Sequence, residues 1–238
     1  MERVSGQHIS GQFNEELESI RNRVMVMGGL VEKQLEDATT ALIKQDIAIA
    51  QHVVMSDHKI NALEVSLDEE CTQVIAKRQP TASDLRLIMV VIKTITDLER
   101  IGDEAERIGR MCLHINQTGA QKSQLASLKH IGRYVQDMLH EVLDALARMD
   151  ADAAVRIAKM DEGVDREYES VMRQLMTYMM EDVRSIPGIL DIMWSARALE
   201  RIGDRCCNIC EYIIYYVKGK DVRHTSIEAM ESLVQQKR

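Results

Sequence analysis

A hexapeptide that occurs twice constrains this chain more than any other feature. Residues 98–103 read Leu-Glu-Arg-Ile-Gly-Asp, and the same six residues return at 199–204, 101 positions later. Upstream of the hexapeptide the two halves match at a spacing of 104, so that Gly28 corresponds to Gly132. The change in spacing falls near the only two prolines, where loops are expected. The pattern indicates an internal duplication.

The composition favours helices in both copies. Aromatic residues make up only 3% of the chain, and Ala, Leu, Met, Glu and Arg are abundant. Apolar residues recur every seven positions, as bundle helices require: Val53, Ile60, Leu67 and Val74, and then Ile157, Val164, Val171 and Tyr178. The predicted helices are 10–44, 47–78, 82–116, 123–148, 151–182 and 187–217. The predicted fold is therefore all-α, with two tandem, duplicated three-helix bundles.

The predicted domains are a first three-helix repeat at 8–119, a second at 120–218, and a polar C-terminal tail at 219–238 that frays. Gly28 and Gly132 fall within helices, which predicts close helix contact at both positions. The net charge of −8 argues against a nucleic-acid platform. We expect a cytoplasmic protein, because no signal or membrane-spanning segment is evident and the five cysteines follow no disulfide pattern.

Pairs of acidic residues four positions apart are the candidate functional groups. Residues at this spacing share one face of a helix, although like charges there cost a few tenths of a kcal/mol. Carboxylate oxygens suit hard cations such as Mg²⁺ and Mn²⁺, and iron is also possible. The sequence does not distinguish between Mg, Mn, Fe and Zn as the metal. If the middle and last helices of each copy are adjacent, their acidic stripes face each other. The candidate residues are Asp57, Asn61, Glu99 and Asp103 in the first copy, and Asp161, Asp165, Glu200 and Asp204 in the second.

Other interpretations of these acids stay open at this point. They could form ion pairs with the neighbouring arginines, which are Arg100, Arg107, Arg201 and Arg205. A metal store or a metalloenzyme in a helical bundle is a second hypothesis, and a purely structural bundle is a third. The chain has no Glu-x-x-His motif, no phosphate-binding loop and no paired nucleophile and base. We therefore predict no enzymatic activity and no organic cofactor.

The duplicated motif, together with the segment Lys-Arg-Gln-Pro-Thr-Ala-Ser-Asp-Leu-Arg at 77–86 and His-Ile-Ser-Gly-Gln-Phe at 8–13, resembles the PhoU family. These are accessory proteins of bacterial phosphate-specific transport. The resemblance covers about residues 8–224. It implies a non-enzymatic cytoplasmic homodimer that links the ATPase subunit of the phosphate ABC transporter to a sensor histidine kinase. Such proteins reach the membrane only through these partners, and they limit phosphate uptake and restrain the phosphate-starvation response.

Some members of this family bind metal clusters through such acid pairs. By matching position, the resemblance implies that the acidic candidate residues of both copies are metal ligands here. Asn61 departs from the family pattern, which puts full occupancy of the first site in question. Asp84 and Arg86 occur in the first copy only. A helix N-terminus accounts for Asp84 but not for the cation Arg86, and we predict a partner contact at these two residues.

Overall fold

The computed structural model describes residues 3–118 and 122–236, and the helices account for nearly all of them. They are α1 (Arg3–Lys44), α2 (Ile47–Ser56), α3 (His58–Arg78), α4 (Ala82–Thr118), α5 (Lys122–Leu125), α6 (Leu128–Arg148), α7 (Ala151–Glu181), α8 (Ile186–Lys218) and α9 (Ile227–Gln235), with a short 3-10 turn at Val183–Ser185. The predicted all-α fold is confirmed. The predicted domain boundary at 119–120 and the last two residues of the predicted tail lie outside the described residues.

The middle helix of each copy begins in the same way. Asp46 has an extended backbone, and its carboxylate accepts a hydrogen bond from the amide of Ile49 at 3.0 Å. Asp150 does the same with the amide of Ala153 at 2.9 Å. Each carboxylate satisfies an amide that the first helical turn leaves free. The two copies therefore share local structure as well as sequence.

The hydrogen-bond ladder of the middle helix of the first copy is interrupted at Asp57, whose backbone angles stay α-helical, so that α2 and α3 replace the single helix predicted over 47–78. The Ser56 hydroxyl donates to the carbonyl of Val53 at 3.2 Å, and His58 Nδ1 donates to the carbonyl of Met55 at 2.8 Å. Such side-chain hydrogen bonds compete with the helical ladder. The corresponding residues of the second copy are Met and Glu, and α7 runs on without a break.

The seven-residue apolar stripes form the core of each copy. All of the predicted stripe residues of α2, α3 and α7 are buried except Tyr178, which is partly buried. Leu98, Ile101, Leu199 and Ile202 of the hexapeptides are each 0% exposed. Full burial of one such side chain contributes about 1.5–3 kcal/mol. The first copy packs α1, α2 and α3 around α4, and the second packs α6 and α7 around α8.

The two copies pack together through antiparallel helix pairs. Helix α4 lies along α8, and α1 lies along α6. In the α1–α6 pair, a Cβ atom placed on Gly28 would lie 2.6 Å from Leu143 Cδ2, and one on Gly132 would lie 3.5 Å from Thr39 Cγ2. The close helix contact predicted at both glycines is confirmed.

A buried acid joins α4 to α8. Asp97 is 2% exposed and accepts hydrogen bonds from the Tyr212 hydroxyl at 2.8 Å and from Asn208 Nδ2 at 3.3 Å. The guanidinium of Arg205 lies 3.6 Å from the same carboxylate. Nearby, Glu104 of α4 pairs with Arg201 of α8 at 2.9 Å. The contact between the copies is therefore polar as well as apolar.

The predicted fraying of the C-terminal tail is wrong for residues 227–235, which form helix α9. Helix α9 packs on α7 and α8, and it buries Met230 and Val234 at four-residue spacing. Ser226 caps its N-terminus by accepting from the amide of Ala229 at 3.3 Å. Lys218 Nζ donates to the carbonyl of Val234 at 2.6 Å. A short apolar face and one cap are enough to hold this segment because a groove between two long helices receives it.

Candidate functional site

The acidic stripes of the first copy face each other across the contact between α3 and α4. We call Asp57, Asn61, Glu99 and Asp103 the first cluster. Gly102 lies between the two acids of the hexapeptide, and a Cβ atom placed there would lie 3.5 Å from Asp57 Oδ1. The absence of a side chain at Gly102 lets the Asp57 carboxylate approach the backbone of α4. The predicted facing arrangement is confirmed for this copy.

The second copy repeats the arrangement between α7 and α8. We call Asp161, Asp165, Glu200 and Asp204 the second cluster. A Cβ atom on Gly203 would lie 2.9 Å from Asp161 Oδ1, closer than side chains normally approach. The repeated glycine therefore has one role in both copies, which is to admit the aspartate of the facing helix.

Burial and mutual repulsion act on the first cluster. Burial, followed by the charges of Asp103, Glu64 and Asp57, raises the pKa of Glu99 to about 7. Burial, followed by the charges of Asp57 and Glu106, also raises the pKa of Asp103. A raised carboxyl pKa means that the fold disfavours the ionised form. The first cluster therefore holds more negative charge than the surrounding protein neutralises.

The second cluster has the same electrostatic character. Burial, followed by the charges of Asp165 and Asp204, raises the pKa of Asp161 to about 6. Burial is also the main cause of the raised pKa values of Glu200 and Asp204, and neighbouring acids of the cluster add to both. A divalent cation would remove the repulsion in either cluster, because it favours the ionised carboxylates.

The four arginines that sequence analysis offered as partners of the clusters pair with other acids instead. Arg100 and Arg205 lie against Asp97, and Arg107 and Arg201 lie against Glu104. Across the described ranges 3–118 and 122–236, the only member of either cluster in an ion pair is Glu200, which pairs with Arg197. The ion-pair interpretation therefore fits Asp97 and Glu104, two buried acids that sequence analysis missed.

The donor chemistry of the clusters fits a hard cation, since all eight side chains offer oxygen. Two of these oxygens, Asn61 Oδ1 and Glu200 Oε2, are buried and accept no hydrogen bond. As the side chains stand, no three His, Cys, Asp or Glu residues of the described chain converge on one point where a metal could sit. Holding a cation would therefore require side-chain rotation within the clusters.

The immediate neighbours of the clusters differ between the copies. In the first, Gln34 Nε2 donates to Asp57 Oδ1 at 3.0 Å, and Asn61 Nδ2 donates to Asp57 Oδ2 at 3.1 Å. In the second, the Cys207 thiol lies within hydrogen-bonding reach of Asp161. At the spacing of 101, Cys207 is the counterpart of Glu106. Sequence analysis missed Gln34.

The other cysteines, Cys71, Cys112, Cys206 and Cys210, are buried core residues. Burial raises the pKa of Cys71 to about 12 and that of Cys112 to about 11. These thiols are therefore protonated and unreactive at neutral pH.

Asp84 and Arg86 lie at the edge of the molecule where the two copies meet. Asp84 is in the first turn of α4, where the positive end of the helix dipole favours an acid. The Arg86 guanidinium lies against Gly219, at the C-terminal end of α8, where carbonyl groups favour a cation. Arg86 Nε is buried and donates to no acceptor. Both residues are only partly buried.

We expect the free energy of unfolding to fall as the pH rises through the acidic range when divalent cations are absent. The folded protein holds protons on Glu99 and Asp161 more tightly than the unfolded chain does. The loss therefore begins near the ordinary pKa values of 4.5 and 3.8, and it ends near the raised values of about 7 and 6. Urea titrations in the presence of a chelator at pH 5.0, 6.0 and 7.5 measure this change in the free energy of unfolding.

The double variant Glu99→Gln, Asp161→Asn is the control for this dependence. His140 also has a raised pKa, caused by its hydrogen bond to Glu32, and it contributes a loss of the same sign. His140 contributes equally to the parent and the variant, so the difference between their free energies of unfolding no longer contains its contribution. A parent that loses no more stability than the variant between pH 5.0 and 7.5 would contradict the electrostatic description of the clusters.

Comparisons with known proteins agree with the duplicated, two-domain arrangement of the chain. The model of the PhoU domain matches the chain twice, at residues 24–112 and 128–213. The phosphate-specific transport system accessory protein PhoU of Escherichia coli K12 is 57% identical to it, over 95% of this chain and 94% of that protein. No helix in the described part of the chain combines the length and apolarity needed to cross a membrane.

Two solved structures share the fold. The crystal structure of PhoU from Pseudomonas aeruginosa has a TM-score of 0.85 and 50% identity, and it covers 87% of this chain and 100% of that one. The phosphate transport system regulatory protein PhoU from Streptococcus pneumoniae has a TM-score of 0.80 and 29% identity, covering 88% and 99%. With two tandem PhoU domains and relatives matched over nearly their full length, the chain belongs to the PhoU family.

Proposed function

We propose that this chain is a cytoplasmic, homodimeric adaptor that restrains the phosphate-starvation response. It docks on the ATPase subunit of the phosphate ABC transporter and on a sensor histidine kinase. When phosphate is plentiful, it favours the non-signalling state of the kinase and limits uptake. The broader function, non-enzymatic regulation of phosphate transport, follows from membership of the PhoU family.

The observation that carries the proposal is the paired occurrence of the clusters. Both PhoU domains place two acids of the hexapeptide against an aspartate of the facing helix, with a glycine between them. A protein that regulates by docking needs no covalent chemistry, only a site whose occupancy changes the affinity for a partner. Two such sites on one rigid pair of helices, α4 and α8, meet that need.

Divalent cations are the proposed occupants of the clusters. Mg²⁺, Mn²⁺, Fe²⁺ and Zn²⁺ all accept carboxylate ligands. The raised pKa values of Glu99 and Asp161 support this, because an unneutralised acidic site gains most from a cation. The unpaired oxygens of Asn61 and Glu200 support it as well. The second cluster supplies four carboxylates, and the first supplies three with one amide.

Partner contact is proposed at the edge formed by Asp84 and Arg86. This edge joins the first turn of α4 to the end of α8, so a partner bound there would touch both copies. The net charge of −8 favours encounter with a basic surface.

The proposal predicts that the tagged chain recovers both partners from cells. The ATPase subunit and the kinase are expected to co-purify after mild cross-linking, with more kinase recovered from phosphate-rich than from phosphate-starved cells. Quantitative mass spectrometry of the two preparations measures this ratio. The control is the tag fused to an unrelated helical bundle of similar charge. Failure to recover either partner in both growth conditions would contradict the proposal.

A further inference from the structure

Gln34 of α1 contacts the first cluster through Asp57. It is 5% exposed, and its Nε2 donates to Asp57 Oδ1 at 3.0 Å. Asn61 donates to the other oxygen, Oδ2, from the opposite side at 3.1 Å. Each oxygen of Asp57 therefore has one amide donor, and two helices fix the plane of the carboxylate. A metal-binding carboxylate is commonly oriented by such outer hydrogen bonds.

The acceptor oxygen of Gln34 has no partner. Gln34 Oε1 is buried, accepts no hydrogen bond, and lies 3.2 Å from the place where a Cβ atom of Gly102 would be. This places it beside the α4 backbone, between the two acids of the hexapeptide. Buried acceptors are seldom left unpaired, and an unpaired one beside a cluster of oxygen ligands indicates a place where an ion or water binds.

The second copy shows that packing alone does not require a glutamine here. At the spacing of 104 the counterpart of Gln34 is Met138, which is 0% exposed. Methionine has a similar length and no amide, so a fully apolar side chain fits the equivalent position. The polar group of Gln34 therefore has a role that belongs to the first cluster alone.

We propose that Gln34 is a positioning residue that sets the cation affinity of the first cluster by holding Asp57. Its Nε2 holds Asp57 Oδ1. The other carboxylate oxygen, Oδ2, accepts its hydrogen bond from Asn61 of α3 and not from α1. The second cluster has no such residue on α6, because Met138 donates no hydrogen bond, and its Asp161 has the Cys207 thiol of α8 within reach instead. The two clusters therefore differ in the donor beside their facing aspartate, which is an amide in the first and a thiol, a weaker donor, in the second. The inference rests on the proposed cation binding.

The test isolates the first cluster and uses Mn²⁺ as the probe. In the full-length Glu200→Ala, Asp204→Ala protein, which lacks the acids of the second hexapeptide, Mn²⁺ binding is followed by electron paramagnetic resonance of the free ion. Adding Gln34→Met, the residue that the second copy has, is expected to weaken Mn²⁺ binding by about 10–100-fold, the usual effect of losing an outer-shell partner. Gln73→Met, at an exposed position of α3, is the matched control and leaves the affinity unchanged.

A purely structural role for Gln34 would leave Mn²⁺ affinity unchanged and alter only the melting temperature in chelator. Unchanged affinity in Gln34→Met therefore overturns the inference. Gln34→Leu provides the same comparison if the methionine variant folds poorly. If the wild-type protein binds no Mn²⁺ in this assay, and no Mg²⁺, Fe²⁺ or Zn²⁺ by direct calorimetric titration, the proposed cation binding fails and the inference fails with it. Weakened binding in Gln34→Met with an unchanged melting temperature supports the positioning role.

Discussion

Replacement of Asp97 by alanine is expected to lower the free energy of unfolding by about 3–5 kcal/mol, as for other buried ion pairs that lose one partner. Asp97 is 2% exposed, and its loss leaves the Tyr212 hydroxyl, the Asn208 amide and the Arg205 guanidinium without their acceptor. For a chain of this length the melting temperature falls by on the order of 10 °C. Urea denaturation followed by circular dichroism gives the free energy, and calorimetry gives the melting temperature.

Two control variants show whether the loss comes from the buried network. Asp144→Ala removes an exposed acid of α6 that pairs with Arg148, and we expect a change within about 0.5 kcal/mol. Tyr212→Phe removes one donor and keeps the ring, which costs about 1 kcal/mol. Equal stability of the Asp97→Ala and Asp144→Ala variants would contradict the polar contact between the two copies.

Much of the fold could be predicted because the duplication supplies two observations of each position. The Leu and Ile of the hexapeptide are fully buried in both copies, as their spacing predicts. Gly28 and Gly132 lie at the same close contact of α1 with α6, and Gly102 and Gly203 both admit an aspartate. The facing of the acidic stripes was predicted on the condition that the middle and last helices of each copy are adjacent, and the structure meets that condition.

Sequence analysis missed two features that apolar periodicity does not encode, one set by local side-chain hydrogen bonds and one by the packing of distant helices. The break at Asp57 depends on two side-chain hydrogen bonds, from Ser56 and His58, that helix periodicity does not encode. The docking of α9 depends on a groove that exists only after α7 and α8 have packed. Neither feature has a counterpart in the other copy, so the duplication gave no second observation of it.

A signal for the missed polar residues was nevertheless present in the sequence. The counterpart of Asp97 at the spacing of 101 is Ala198, and the counterpart of Gln34 at the spacing of 104 is Met138. In both cases one copy has a buried apolar residue where the other has a polar one. Such a mismatch predicts a buried polar group with a specific partner, because an unpaired one would be costly. Alignment of the copies position by position therefore predicts more than hydrophobic spacing alone.

The central claim is that the duplicated acid pairs carry the regulatory function. A strain whose only copy of the gene encodes Glu200→Ala, Asp204→Ala is expected to express the phosphate regulon in phosphate-rich medium at a level close to that of a deletion strain. The variant should fold, since neighbouring acids of the cluster help to raise the pKa values of both residues, and removing two of the charges relieves their repulsion. The loss of regulation would then reflect the site and not the stability.

The control strain carries Glu162→Ala, Glu169→Ala, which removes two exposed acids of α7 that pair with arginines one turn away. It makes the same change in net charge and should keep normal repression. The measurement is the output of a phosphate-regulon reporter in four strains, which are the wild type, the deletion, the double site variant at Glu200 and Asp204, and the control. Immunoblots are used to match the protein levels. We predict high output in phosphate-rich medium for the deletion and the site variant, and low output for the other two. Wild-type repression by the site variant at a normal protein level would contradict the central claim.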